Sequence, residues 1–158
     1  MATVMNTPDG DAIVCEVDIA APPGRVFQAL IDSAQVHEWS RSDAYELVVW
    51  ELDARPGGKW RSTSQEKVGR DGRPPALHEH WGEVLEIDPP HRLVYTWFAA
   101  WHERPEVASV VRWELSAAGA GTHLKLTHSG LAGEPKACEA YSGGWPGILD
   151  AVKKYAER

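Results

Sequence analysis

The sequence predicts an α+β domain: an antiparallel sheet of about six to seven strands covered by one long C-terminal helix, with two short helices after the first strand. Three observations predict this class. Apolar and polar residues alternate with a period of two through most of the chain, Gly- and Pro-containing turns separate these stretches, and helical spacing appears only after the first strand and at the C-terminal end. A sheet that alternates in this way has one apolar face, and the long amphipathic helix is available to cover it.

The first elements are a strand and a helix pair. Residues 12–20 alternate as a half-buried strand, and the following APPGR begins a helix, because proline suits the first helical turn. A second short helix is predicted from Ser33, whose hydroxyl we expect to cap it, to about Trp39. Both helices are too short to be stable alone, so their apolar sides must pack against another element.

The middle of the chain reads as strands joined in hairpins. Strands are predicted over Tyr45–Leu52, 59–68, Leu77–Asp88, 91–99, 107–116 and 122–129. Turn chemistry separates them, with RPGG at residues 55–58, the tip GRDGRPP, the pair Pro89 and Pro90, and the flexible AAGAG. The last helix is predicted from about Gly144, and the residues before it, 134–144, are predicted to be either a lid or an ordinary loop.

Composition excludes some classes of function. A net charge of −7 and a pI near 5.5, without clustered Lys and Arg, argue against nucleic-acid binding. The two distant cysteines, Cys15 and Cys138, and the lack of a leader or membrane span favour a cytoplasmic, bacterial-type protein. Eight Trp against two Phe suit the lining of a mostly apolar cavity, although a Trp-rich core explains the count equally well.

Five segments resemble segments of one known family and occur in the same order as in that family: APPGRVFQALIDSAQVHEW, ARPGGKW, GEVLEIDPPHRLVYTW, GTHLKLTHSGL and GGWPGILDAVKKYAE. The sequence is similar to the family named after activators of the ATPase of the ninety-kilodalton heat-shock chaperone, within the START and birch-pollen-allergen (SRPBCC) superfamily. The resemblance implies a helix-grip fold, a curved sheet around the C-terminal helix, as a single domain over residues 1–158 with its core at about 12–157. It also implies an elongated pocket that in relatives takes lipids, sterols, polyketides or plant hormones. Chaperone activation is not expected, because it belongs to longer eukaryotic relatives with an added domain.

The segment LHEHWGEVLEID carries two faces with different chemistry. His78 and His80 share one face, but no third ligand has metal-site spacing, so no metal or cofactor is predicted. Trp81 and Glu83 share the other face, which we expect to line the pocket, with His128 as the candidate partner of Glu83. The opposite orientation, with Glu83 outside, stays open because the strand is apolar on both faces.

The favoured function is the binding of a small apolar, aromatic or lipid-like molecule, without a cofactor and with a homodimer possible. The alternatives are a cyclase- or hydrolase-type enzyme that uses Glu83 and His128, and a protein-interaction or co-chaperone-like module. The absence of any nucleophile or cofactor motif favours binding over catalysis. The predicted ligand-binding residues are Trp39, Trp60, Trp81, Glu83, Trp97, Trp113, His128 and Trp145.

Overall fold

Eight antiparallel strands form one curved sheet in the order β1-β2-β8-β7-β6-β5-β4-β3. The computed structural model describes residues 1–69 and 71–158, so Arg70, in the predicted GRDGRPP tip, lies outside the described residues. The strands are β1 (Thr3–Asn6), β2 (Ile13–Ile19), β3 (Tyr45–Leu52), β4 (Lys59–Glu66), β5 (Leu77–Asp88), β6 (Arg92–Ala99), β7 (Ser109–Ala118) and β8 (Gly121–Ser129). The helices are α1 (Pro23–Ile31), α2 (Ser33–Trp39) and α3 (Pro135–Ala156). The predicted fold class is confirmed.

The structure differs from the prediction in one strand that was not predicted and in the start of the last helix. The sequence analysis omitted β1, a short edge strand whose side chains are all exposed, so its burial pattern carries no alternation. The predicted loop or lid at residues 134–144 is the first part of α3, which begins at Pro135 and continues through Pro146. Burial of Ala137, Cys138 and Trp145 on one face offsets the helix-breaking tendency of the Gly and Pro residues there.

The helix pair is confirmed, but its cap is not the predicted one. The Asp32 side chain accepts a hydrogen bond from the Gln35 N–H and is the N-cap of α2. Ser33 is already the first helical residue, and its hydroxyl donates instead to the Trp50 carbonyl of β3 at 3.0 Å. This hydrogen bond links α2 to β3, the edge strand on the opposite side of the sheet from β1.

The core lies between the sheet and α3. The predicted inward alternation of β7 and β8 is confirmed, since Val111, Trp113, Leu124, Leu126 and His128 are all at most 3% exposed. The close backbone contacts that α3 makes in the described part of the chain are with β1, β2, α1 and α2. Of the strands, β1 and β2 lie closest to the backbone of α3, and the side chains of Tyr141 and Trp145 in its first half reach β5, β6 and β8. None of the helices among the described residues is long and apolar enough to cross a bilayer.

The orientation of β5 is opposite to the one we expected. His78, His80, Gly82 and Val84 face the concave side, whereas Trp81 is 38% exposed on the outer side. Gly82 explains why the strand is oriented this way. A Cβ on Gly82 would lie 2.0 Å from the Thr96 carbonyl oxygen and 2.7 Å from Nε1 of Trp60, so only glycine leaves room for the Trp60 indole on the inner face.

Candidate functional site

Aromatic and imidazole rings from five parts of the chain meet between the sheet and the first half of α3. We call this group the ring cluster; its members are His80, Trp97, Trp101, His102, His128, Tyr141 and Trp145. They come from β5, β6, the loop at residues 100–108, β8 and α3. Such a group, which is apolar but carries several N–H and O–H groups, suits the end of a ligand site.

His128 is the buried centre of this cluster and has a fixed tautomer. Its side chain is 0% exposed, and its Nδ1 accepts a hydrogen bond from Nε1 of Trp145 at 3.2 Å. Nε2 therefore carries the proton and donates to the Ser109 hydroxyl at 2.8 Å, which in turn donates to the Trp97 carbonyl at 3.2 Å. Burial, with some repulsion from His102 and His80, lowers the pKa of His128 to about 3. Both nitrogens are occupied, so His128 is a neutral structural group.

Tyr141 supplies the hydroxyl group of the cluster. Its oxygen accepts a hydrogen bond from Nε1 of Trp97 at 2.9 Å and lies 2.6 Å from Nε2 of His102. Burial raises the pKa of Tyr141 and lowers that of His102, so both groups are neutral at pH 7. Unlike His128, Tyr141 is only half-buried, so it lies where the cluster reaches the surface.

The loop that carries Trp101 and His102 is held against the start of α3. The carboxylate of Glu134, the residue before α3, accepts hydrogen bonds from the backbone N–H groups of Glu103 and Arg104, each at 2.8 Å. These two charge-assisted bonds position the loop. Trp101, 43% exposed, then donates from Nε1 to Nε2 of His80 at 3.3 Å.

The inner end of the space between the sheet and α3 is filled. Trp60, Trp113 and Trp145 are each 3–4% exposed, and each indole N–H has an acceptor: the Thr96 carbonyl, the Tyr95 hydroxyl and His128 respectively. These predicted ligand-binding residues therefore form the core beneath the site. Trp39 donates to the Ala29 carbonyl at 2.7 Å and packs at the core edge. Trp97 is half-buried and belongs to the ring cluster.

Beside the ring cluster, the concave face of β3–β5 is only partly buried. Most of its residues are half-buried, although Trp60 and Glu66 are buried, and the outward neighbours are mostly exposed. We call this surface the concave cleft; its floor is formed by Tyr45, Leu47, Trp50, Ser62, Ser64 and His78. The concave cleft is thus lined by aromatic rings and small hydroxyl side chains, and it adjoins His80 and Tyr141.

Glu83 and Trp81 lie on the other side of the sheet, and their predicted place in the pocket is wrong. Glu83 is 44% exposed and forms an ion pair with Lys59 at 3.2 Å, so it cannot meet His128 on the inner face. Trp81 stacks on Phe98 with ring centroids 6.1 Å apart. Two open depressions of about 280 and 200 Å³ lie along this outer face around Arg61 and Trp81. The charged residues Glu51 and Lys59 border the first depression, and Glu79 borders the second, which also touches Ser62 and His80.

The described residues contain no group of three or more His, Cys, Asp or Glu side chains arranged to hold a metal ion. The histidine side chains of this region are instead engaged in hydrogen bonds within the protein. His128 uses both ring nitrogens, His80 uses Nε2 for Trp101, and His78 approaches the Glu66 carboxylate at 3.3 Å.

The sequence analysis missed His102, Trp101, Ser109 and Tyr141. A signal for Tyr141 was available, because Cys138, Tyr141, Trp145 and Ile148 follow the i, i+3, i+7 and i+10 spacing of one helical face. The glycines and Pro146 hid this signal by suggesting a loop. No local signal places His102, since it lies in an irregular loop whose position depends on Glu134.

The curved sheet, the helix pair and the long C-terminal helix define a helix-grip protein. A profile of the Activator of Hsp90 ATPase homolog 1-like protein family matches residues 20–157. The chain belongs to that family, as its sequence resemblance indicated. No curated protein matches the chain in sequence.

Solved structures show the same fold. Protein Ms6760 from Mycobacterium smegmatis is 20% identical with a TM-score of 0.77, over 99% of this chain and 95% of that one. Protein CV1439 from Chromobacterium violaceum is 23% identical with a TM-score of 0.75, over 94% and 99%. A Rhizobium leguminosarum protein is 24% identical with a TM-score of 0.72, over 100% and 99%. At these identities the likeness establishes the fold alone, which is one known for ligand binding.

Proposed function

We propose that the protein binds a small, flat, mainly apolar or aromatic molecule in the concave cleft, against the ring cluster. The observation that carries this proposal is the set of half-buried rings and hydroxyls on the inner face of β3–β5, next to the ring cluster. Rigid rings such as Trp50 and Trp97 offer contact area at low entropic cost, and Ser62 and Ser64 leave room above the floor.

The other two hypotheses have less support. The positions of Glu83 and His128 on opposite faces of the sheet argue against an enzyme that uses both residues. A protein-interaction module would need a contiguous apolar surface. On the outer face, the Trp81–Phe98 pair is flanked by the ion pairs Lys59–Glu83 and Arg61–Glu51, which interrupt the apolar area.

A pair of adjacent substitutions tests the cleft. Ser62 faces the cleft and Thr63, the next residue of β4, faces outward. We expect Ser62→Leu to fill the cleft and to weaken binding of 2-methylnaphthalene at least about fivefold, as a clash of about 1–3 kcal/mol implies. Thr63→Leu is the matched control, with the same change of side chain on the same strand, and should bind as the unmodified protein does.

Binding is measured by quenching of Trp fluorescence and by thermal stabilisation, which mass action requires of any ligand that binds the folded state. Palmitate and cholate are included to separate a flat aromatic preference from a lipid-like one. The proposal is wrong if none of these compounds shifts the melting temperature, or if Thr63→Leu weakens binding as much as Ser62→Leu.

A further inference from the structure

Two polar groups where the cleft meets the ring cluster have unused hydrogen-bonding capacity. The first is the Tyr141 hydroxyl, which can donate one hydrogen bond and accept two. It accepts one from Trp97 at 2.9 Å. Its separation of 2.6 Å from Nε2 of His102 is shorter than the usual N–H···O range and fits an O–H donor, so Tyr141 donates to His102. One lone pair of the Tyr141 oxygen then has no partner among the residues that the structure describes.

The second group is the Nδ1–H of His80. Because Trp101 donates to Nε2, a neutral His80 must carry its proton on Nδ1. That Nδ1–H has no acceptor among the described side chains and backbone groups. Burial lowers the pKa of His80 to about 4, so the ring is neutral and this tautomer persists at pH 7.

The rings that carry these two groups are neighbours. The ring centroids of His80 and Tyr141 are 6.3 Å apart, and both rings pack against Trp97, at 4.6 and 5.7 Å. One group is a donor and the other an acceptor. The chemical group that satisfies both at once is a hydroxyl, which accepts from one partner and donates to the other. A carbonyl or an ether could use only His80, and a carboxylate would face the unshared electrons of Tyr141.

We propose that His80 and Tyr141 form a hydroxyl-binding subsite, so that the natural ligand is an aromatic alcohol or phenol whose ring lies in the concave cleft. The ligand oxygen accepts the His80 Nδ1–H, and the ligand O–H donates to the Tyr141 oxygen. His102 and Trp97 are positioning residues, because they fix which lone pair of Tyr141 is free. This inference rests on the proposed function, since it names the chemistry of a ligand in the same cleft.

The test compares 2-naphthol with 2-methylnaphthalene, in which a methyl group of similar size replaces the hydroxyl. Dissociation constants are measured by calorimetry. Two hydrogen bonds of about 1 kcal/mol each predict that the protein binds 2-naphthol about thirtyfold more tightly. In Tyr141→Phe and in His80→Phe that ratio should fall to about fivefold or less, with the affinity for 2-methylnaphthalene nearly unchanged.

Tyr155→Phe is the matched control on the same helix. Tyr155 lies near the C-terminal end of α3 and is not a member of the ring cluster, so this variant should keep the full ratio. His80→Phe keeps a ring against Trp97 and remains informative if Tyr141→Phe disturbs packing. Equal binding of both compounds to the unmodified protein overturns the subsite but leaves the cleft intact. A ratio that survives in both variants also overturns it. Failure of both compounds to bind overturns the proposed function together with this inference.

Discussion

Acidification should destabilise the protein strongly, because the buried His128 and the half-buried His80 stay neutral when folded. Burial is the main cause that lowers the pKa of His128 to about 3 and that of His80 to about 4, whereas an unfolded histidine titrates near 6.5. Between these values the unfolded chain binds more protons than the folded one. The stabilisation is therefore complete above pH 6.5 and is lost as the pH falls toward the folded values.

The size of the effect follows from the same values. Each pKa unit corresponds to about 1.4 kcal/mol, so the two histidines together should lower the free energy of unfolding by about 4 kcal/mol between pH 6.5 and pH 4.5. That is a large part of the roughly 5–15 kcal/mol that a domain of this kind has. Urea unfolding, followed by Trp fluorescence at half-unit steps of pH, measures it.

His128→Asn separates this effect from other acid-sensitive groups. The variant is expected to be less stable at pH 7, since it loses the bond to Ser109, but its stability should fall by about 2 kcal/mol less over the same pH range. His91→Asn, at an exposed turn residue, is the control and should keep the slope of the unmodified protein. If His128→Asn keeps that slope as well, the reasoning from a buried neutral imidazole is wrong.

Two further predictions concern stability. Gly82→Ala should lower the free energy of unfolding by about 1–3 kcal/mol, because its Cβ would lie 2.0 Å from the Thr96 carbonyl oxygen. Gly143→Ala is the control: a Cβ there meets no atom within 4 Å, so chemical denaturation should show a stability that is unchanged or higher. An undiminished stability of Gly82→Ala would contradict the packing described for Trp60. His123, bonded to Asp18 at 2.7 Å and Glu16 at 2.9 Å, has a raised pKa, so its stabilisation is present below pH 6.5 and lost as the pH rises. Because the site is exposed, the loss should be under about 1 kcal/mol, absent in His123→Gln and screened by salt; a salt-independent loss would refute it.

Local periodicity predicted most of the strands and helices. The strand Leu77–Asp88 and the strand Tyr45–Leu52 were predicted with their actual bounds, because alternation and the flanking turn residues are both local signals. The resemblance to a known family supplied the curved arrangement around the last helix. Local signals failed where they conflicted with tertiary packing, as in the Gly- and Pro-containing first half of α3, whose helix is maintained by burial of Ala137 and Cys138.

The candidate site shows a different limit. Alternation in β5 correctly separated His78 and His80 from Trp81 and Glu83, but a period of two has no direction and cannot tell which face is inward. That choice depended on Trp60, from another strand, fitting over Gly82.

The sequence by itself determined the elements, their order and the two faces of each strand, because these follow from the chemistry of neighbouring residues. Only the tertiary structure brought His80, His102 and Tyr141 together, since they lie on a strand, a loop and a helix and meet through contacts between distant residues. The hydrogen bonds that leave a donor on His80 and an acceptor on Tyr141 come from Trp101 and Trp97, and no spacing along the chain encodes those pairings.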